Sequence, residues 1–142
     1  MSYLGRIAEL EWRDDLRVGE PTIDVQHKGF IDLAKRVGVL IASKAPAALV
    51  LANVEAIVVA TGHHFTTEEA ILNQIGFPDV ASHRLDHAVI YDQVSGLVAR
   101  LTVQSSGEEI ATVVRTVVAI LLEHMQLKDM EFRSFFPAAQ VA

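Results

Sequence analysis

The sequence predicts an all-α fold: an up-down-up-down antiparallel four-helix bundle with an extended N-terminal arm. Apolar residues recur at three- and four-residue steps in four long stretches, which is typical of helices with one buried face. Short segments with proline, glycine or serine separate these stretches, and short connections make consecutive helices antiparallel neighbours. We find no convincing strand pattern, repeat or linker, so residues 1–142 are expected to form one domain.

The arm is predicted at residues 1–20, and the helices at about 21–43, 47–75, 80–104 and 107–132. Trp12 favours an arm that packs over the bundle rather than a frayed terminus. Pro21 suits the first position of a helix, because its missing N–H would be unpaired there in any case. Gly62 interrupts the pattern of the second helix and is expected to allow another backbone to approach closely.

Turn and capping residues mark the other boundaries. Pro46 removes a backbone donor and separates the first helix from the second. Gly76 follows the end of the second helix, and Asp79 is suited to cap the third. Ser106 and Glu109 have the spacing of a capping box, so the fourth helix is predicted to begin between them.

The composition argues against several classes of function. A net charge of −6 is unsuited to a nucleic-acid partner, which favours clustered Lys and Arg. The absence of cysteine excludes disulfides and thiolate sites and favours a reducing compartment. No basic start precedes an apolar block, and the longest uncharged run, 56–67, is far shorter than the roughly 18 residues of a membrane span. We therefore predict a cytoplasmic protein without membrane insertion.

Histidines and carboxylates recur at the spacing of one helical turn. His64 and Glu68 lie four residues apart, so on a helix they share one face and can hold one metal ion from one side. The same spacing recurs at His83 and His87, in a separate stretch with its own apolar face. These pairs predict a metal site inside the bundle.

His27 and His124 add one imidazole from each of the two remaining helices. The candidate ligands also have interpretations that involve no metal. His27 could be a lone core histidine, His83 and His87 a chance surface pair, and Glu68 with its neighbour solvated charge. Histidines on the buried faces of four consecutive helices are nevertheless hard to obtain by chance, and such groups are costly to bury unpaired. Five imidazoles are too many for one ion with carboxylates added, which favours two bridged ions.

Four segments resemble the hemerythrin family in their order and intervals: Ile23–His27, His64–Glu69, His83–His87, and His124 with Asp129. The resemblance covers the chain from Trp12 to about Phe132. It implies two non-haem iron ions bridged by an oxo or hydroxo group. In that arrangement one iron is bound by His83, His87 and His124, the other by His27 and His64, and the bridging carboxylates are Glu68 and Asp129.

Asp129 is the one ligand that helical periodicity would not have identified. Five residues correspond to about 140° around a helix, so the fourth helix would have to present its side rather than its face to the metal. His63 points about 100° away from the ligand face and is interpreted as a surface residue or an outer neighbour of the site.

The resemblance implies reversible dioxygen binding at the iron with two histidines, which is one ligand short. No side chain need act as acid or base, because the bridging hydroxide supplies the proton. Water would be excluded by an apolar wall, predicted to comprise Phe30, Phe65, Ile120, Leu121 and Met125. Ile120 stands where the family usually has tryptophan, and its smaller side chain is expected to leave the pocket more open.

These expectations favour an oxygen carrier, store or delivery protein with at most weak enzymatic side activity. A second hypothesis is a redox or oxygen sensor, in which the arm or the C-terminal tail signals to an unknown protein partner. A third is a di-iron enzyme acting on peroxide or nitric oxide, or an iron-oxidising store. Tyr91, one helical turn from His87, is the residue that would favour the enzyme.

Overall fold

The computed structural model describes residues 10–136 and consists almost entirely of helix. The four main helices are α1 Pro21–Ala42, α2 Ala47–Gln74, α3 Val80–Ala99 and α4 Gly107–Leu127. Short 3₁₀ segments at Asp14–Leu16 and Asp129–Phe135 flank them, and no strand occurs between residues 10 and 136. The predicted all-α class is confirmed.

The helices form a ring in which each packs against two others. Helix α1 contacts α2 and α4, and α3 also contacts α2 and α4, as in an antiparallel four-helix bundle. The main core along the bundle axis is aliphatic, with fully buried Val37 of α1, Val54 of α2, Val94 of α3 and Val114 of α4. The metal-site residues lie beside this core.

Two of the predicted helix starts are correct in detail. Pro21 is the first residue of α1, and the Glu20 carboxylate before it accepts the backbone N–H of Ile23 at 2.8 Å. Ser106 and Glu109 form the predicted capping box, since each side chain accepts the other's backbone N–H. Both devices satisfy donors that the first turn of a helix leaves unpaired.

The predicted cap of α3 is right in position only, and the predicted end of α3 is wrong. Asp79 occupies the cap position, but its side chain accepts no capping hydrogen bond, and only its backbone carbonyl bonds to His83. Helix α3 ends at Ala99 rather than near 104. Beyond it the Ser105 hydroxyl accepts the backbone N–H of Thr102, and the Thr102 hydroxyl accepts that of Gln104. Such local side-chain bonds compete with helix continuation.

Helix α4 also ends earlier than expected, at Leu127 rather than about 132. A 3₁₀ segment follows at once and places Asp129 fully inside the protein. The expectation that one continuous helix presents its side to the metal is therefore wrong. Because a 3₁₀ turn is tighter than an α-turn, it changes the direction of Asp129 relative to His124.

A second apolar cluster fixes this segment at one end of the bundle. Phe132 is fully buried, 5.9 Å from the ring of Phe77 and 5.4 Å from the imidazole of His83, between ring centroids. Val18 and Ile23 complete the packing from the arm and α1. The cluster thereby holds the chain that carries Asp129 against the start of α3.

Residues 10–20 of the arm pack over the bundle, while residues 1–9 lie outside the described part of the chain. Leu10, Leu16 and Val18 are buried, and Trp12 packs against the main core. The carboxylate of Asp24 accepts the backbone N–H groups of Val18 and Gly19 at 2.7 and 3.1 Å, which ties the arm to α1.

Gly62 does not interrupt α2, which runs continuously from Ala47 to Gln74. The expected close approach of another backbone is also wrong, because the nearest neighbour is a side chain. A Cβ atom at Gly62 would lie 3.1 Å from Cε1 of Tyr91 on α3. The missing side chain therefore makes room for an aromatic ring.

Two stretches, 47–74 and 107–135, are long and apolar enough to cross a membrane by length and composition alone. From the longest uncharged run we predicted no membrane span, and this stays a prediction. In the bundle these stretches carry the buried polar side chains of His64, Glu68, His124 and Asp129. Apolar residues of both stretches, among them Val54 and Val114, pack in the main core of the bundle.

Candidate metal centre

All seven predicted metal ligands converge on one buried point in the bundle. Each is at most 6% exposed, and the chain contributes them from α1 (His27), α2 (His64, Glu68), α3 (His83, His87), α4 (His124) and the following 3₁₀ segment (Asp129). The one-turn spacing in α2 and α3 places both members of each pair on the inner face.

Three imidazoles gather on one side of the carboxylates. Nε2 of His83 lies 2.8 Å from Oε1 of Glu68 and 3.1 Å from Oδ1 of Asp129. Nε2 of His87 lies 3.1 Å from the same Glu68 oxygen, and Nε2 of His124 lies 3.0 Å from the same Asp129 oxygen. These five donors form what we call the three-histidine position.

Two imidazoles occupy the opposite side. Nε2 of His64 lies 2.9 Å from Oε2 of Glu68, and Nε2 of His27 lies 3.1 Å from Oδ2 of Asp129. The two Nε2 atoms are themselves 3.1 Å apart. These four donors form the two-histidine position, so each carboxylate presents one oxygen to each position.

The donor atoms fit metal ions at both positions. Within each group the ligand atoms all lie within 4.8 Å of one another. Several of them are buried without a hydrogen bond: Oε2 of Glu68, Nε2 of His87, Nε2 of His124 and both carboxylate oxygens of Asp129. Buried polar atoms left unsatisfied are costly, and a bound cation would satisfy them. Imidazole and carboxylate together suit iron and related transition metals.

Comparison with known proteins agrees with this geometry. The family model described as "Hemerythrin HHE cation binding domain" matches residues 18–136, which include all seven ligands. This chain belongs to the hemerythrin family. Hemerythrins bind non-haem iron, and the buried cluster is the candidate site for it.

Individual hemerythrin relatives cover most of the chain. A bacteriohemerythrin of Stenotrophomonas maltophilia is 32% identical over 127 residues, which is 89% of this chain and 80% of that protein. Bacteriohemerythrins of Pseudomonas aeruginosa and Pseudomonas paraeruginosa are each 29% identical over 104 residues, or 73% of this chain and 65% of theirs.

Electrostatics in this hemerythrin favour paired charges at the metal position. Burial would lower the pKa of His27 and of His83, but the adjacent carboxylates of Asp129 and Glu68, which favour the protonated imidazole, raise each pKa to about 9. Burial would raise the pKa of Glu68, but the surrounding imidazoles hold it well below its usual value, and the pKa of Asp129 is also lowered. The pKa of His64 is lowered, chiefly by burial. Without metal, protons on His27 and His83 therefore neutralise the carboxylates.

Two residues that support the ligands were not identified from the sequence. Gln26 of α1 accepts a hydrogen bond from Nδ1 of His64 at 2.7 Å, and Glu69 of α2 accepts one from Nδ1 of His87 at 2.7 Å. Both adjoin a predicted ligand in the chain, and solvated charge was the ordinary alternative considered for Glu69. Ligand imidazoles generally donate their other N–H to an acceptor. Polar residues that adjoin predicted ligands in the sequence are therefore the candidates for such acceptors.

Four of the five residues of the predicted apolar wall are buried, and two of them contact ligand imidazoles. Phe30, Phe65, Leu121 and Met125 are at most 5% exposed and share the main core. The ring of Phe65 stacks on the imidazole of His87 with centroids 3.8 Å apart, and Phe30 meets His64 edge-on at 5.4 Å. Ile120 is only half-buried.

Ile120 lines an open groove of about 390 Å³ between α3 and α4, and His124 forms part of the same groove. The other lining side chains come mainly from outward positions of the two helices, including Val89. The groove reaches the edge of the His124 side chain but not its ligand nitrogen, Nε2, which is buried. That Ile120 leaves the ligand pocket more open stays a prediction.

Two further residues considered in the sequence lie outside the ligand cluster. His63 is exposed, and its backbone carbonyl accepts the hydroxyl of Thr67. Tyr91 is 38% exposed and lines a separate surface groove with Phe65, Glu69 and His87. Neither side chain belongs to the two groups of metal-binding donors found among residues 10–136.

Proposed function

We propose that this protein binds dioxygen reversibly at a di-iron centre and serves as an oxygen carrier, store or delivery protein. The observation that carries the proposal is the division of the carboxylate oxygens. Glu68 and Asp129 each turn one oxygen toward the three-histidine position and the other toward the two-histidine position. This is the arrangement that two bridged ions require, and a single ion would not use both sides.

The unequal number of ligands supports binding of a small molecule. The three-histidine position has five protein donors, whereas the two-histidine position has four. A position with fewer protein ligands leaves room for an external one. A pair of ferrous ions, one at each position, would supply the electrons for reversible combination with dioxygen.

The protein binds the metal ions, orients their ligands and excludes water from the site. His27, Glu68 and Asp129 are fully buried, and Phe30 and Phe65 pack directly on ligand imidazoles. Exclusion of water from such a site prevents proton leakage and side reactions. None of the residues placed at the centre is left free to act as a general acid or base, which favours binding over turnover.

The names of the relatives support the same proposal, because the similar proteins of Stenotrophomonas and Pseudomonas are called bacteriohemerythrins. A cytoplasmic location, which the absence of cysteine favours, stays a prediction.

Anaerobic reconstitution with ferrous iron tests the proposal. We expect two irons per chain and an absorption band that appears under air and disappears under argon over repeated cycles. His27→Ala should abolish the band, whereas His63→Ala, which alters an exposed histidine on α2, should leave it unchanged. Irreversible bleaching on the first exposure to air, or a single iron per chain, would contradict the proposal.

A further inference from the structure

The outward nitrogens of two ligand imidazoles, one at each metal position, have hydrogen-bond partners of different charge. At the two-histidine position, Nδ1 of His64 donates to an amide oxygen of Gln26. At the three-histidine position, Nδ1 of His87 donates to a carboxylate oxygen of Glu69. Both donor–acceptor distances are 2.7 Å, so the two bonds differ in charge rather than in length.

Glu69 is held in place by a second partner. Its other carboxylate oxygen accepts Nε of Arg84 at 3.2 Å, and its side chain is 19% exposed. A carboxylate can only accept, so it keeps the proton of His87 on Nδ1 and leaves Nε2 directed at the metal position. Gln26 orients His64 in the same way, but without a negative charge.

We propose that Gln26 and Glu69 are positioning residues that make the two metal positions unequal. The three-histidine position fills first and holds its ion more tightly, and the two-histidine position exchanges its ion more readily. The inference rests on the two-metal centre of the proposed function and adds an order of loading to it.

The physical basis is the basicity of the ligand. An imidazole that donates to a carboxylate is a stronger electron donor to its metal than one that donates to a neutral amide, because the negative charge stabilises the positive charge shared with the ion. The number of protein ligands, five against four, acts in the same direction. Only the charge of the outer partner can be changed while every ligand is retained.

Charge changes at the two residues should therefore have separate effects. Glu69→Gln keeps the acceptor and removes the charge, and it should weaken the three-histidine position by about tenfold. Gln26→Glu adds a charge beside His64 and should strengthen the two-histidine position by about tenfold. The double variant should narrow the difference in metal affinity between the two positions or reverse their order of filling.

Calorimetric titration of the metal-free full chain with Co²⁺ measures these affinities. The wild-type chain is titrated first to establish two ions per chain. Each charge variant is then measured in two backgrounds: His27→Ala, which weakens the two-histidine position, and His124→Ala, which weakens the three-histidine position. Circular dichroism and gel filtration verify that each variant is folded, and the variants in the otherwise wild-type chain provide an independent comparison.

Matched controls place the same charge change on the solvent-facing sides of the same helices. Glu55→Gln on α2 and Val25→Glu on α1 alter exposed residues and should leave both affinities unchanged. The inference is supported if Glu69→Gln acts only in the His27→Ala background and Gln26→Glu only in the His124→Ala background. If the wild-type chain binds two ions but a charge variant has equal effects in both backgrounds, or no effect in either, the inference is overturned. Fewer than two ions in the wild-type chain would overturn the proposed function itself.

Discussion

Glu68 connects more of the metal centre than any other single residue. Its fully buried carboxylate lies within 3.4 Å of Nε2 atoms from four histidines on three helices. A buried carboxylate with no partners would be strongly unfavourable, so its burial depends on the surrounding imidazoles or on the ions they bind. The residue therefore affects both metal binding and folding.

Glu68→Gln should reduce bound iron from two ions per chain to one or none. The substituted amide has the same shape but no charge, and only one of its two terminal atoms can act as a ligand. Iron analysis after anaerobic reconstitution and desalting measures the loss. Glu55→Gln, the same change at an exposed position of α2, is the control and should retain two ions. Full iron content in Glu68→Gln would show that the carboxylate does not bridge.

Ile120 lines the α3–α4 groove together with His124. Ile120→Trp should fill part of the groove and slow the oxidation of the oxygenated protein severalfold, because water and anions would reach the site less easily. Stopped-flow and slow absorbance measurements of oxygen binding and autoxidation test this. Val59→Trp, at a residue of α2 that is 72% exposed and does not line this groove, is the control and should change neither rate. Equal rates for Ile120→Trp and wild type would contradict the prediction.

At the scale of elements, the close fit of α2 against α3 at Gly62 should affect the free energy of unfolding. Alanine is favoured over glycine in a helix by about 1 kcal/mol. At Gly62 part of this gain should be lost, because the new Cβ lies 3.1 Å from the ring of Tyr91, which is partly exposed and must shift outward. Gly62→Ala should therefore stabilise the protein by about 0.5 kcal/mol or less.

Denaturant unfolding of four chains measures this contact: wild type, Gly62→Ala, Tyr91→Ala and the double variant. In the Tyr91→Ala background the alanine should give the full gain of about 1 kcal/mol. Gly96→Ala on α3 is the control, since a Cβ there meets no atom within 4 Å, and it should give the full gain in either background. The same gain for Gly62→Ala in both backgrounds would rule out the contact.

The elements also show where sequence periodicity stops being informative. It was enough for the four helices and for six of the metal ligands, because the buried face of a helix repeats every turn. It was not enough for Asp129, since Phe132 and Phe136 continue a helical spacing beyond the real end of α4. In the 3₁₀ segment Phe132 packs against Phe77 and His83, and such contacts between distant segments leave no local pattern in the sequence.

Outer partners were missed for a related reason. Gln26 and Glu69 are separated from the imidazoles that they contact by 38 and 18 residues. The two residues of each pair lie on different helices, so helical periodicity does not relate them. Only the packing of α1 on α2 and of α2 on α3 brings them together. Family resemblance supplied Asp129, but these two contacts required the folded chain.

At the scale of the whole molecule, the bundle places two carboxylates among five imidazoles in a region buried from solvent. In the metal-free protein the raised pKa of about 9 at His27 and at His83 means that both accept protons more readily than in an unfolded chain. Metal ions must displace these protons, so affinity for metal should rise with pH. The groups that face them are Glu68 and Asp129, together with His64 beside His27.

The stability of the metal-free protein should consequently pass through a maximum near pH 6.5. Above it, folding loses the contribution of His27 and His83, which is complete below their unfolded pKa of 6.5 and is lost as pH rises through about 9. Below it, the lowered pKa of His64 and then those of Glu68 and Asp129 make the unfolded chain bind more protons, so stability falls with decreasing pH.

Urea unfolding of metal-free and iron-loaded protein between pH 5 and pH 9 tests the maximum. The iron-loaded protein should not lose stability between pH 6.5 and pH 9, because ions occupy the place of the protons and bind better as pH rises. His63→Gln, which removes the exposed histidine, should leave both profiles unchanged. A metal-free profile that is flat or rises between pH 6.5 and pH 9 would mean that the carboxylates do not hold protons on these imidazoles.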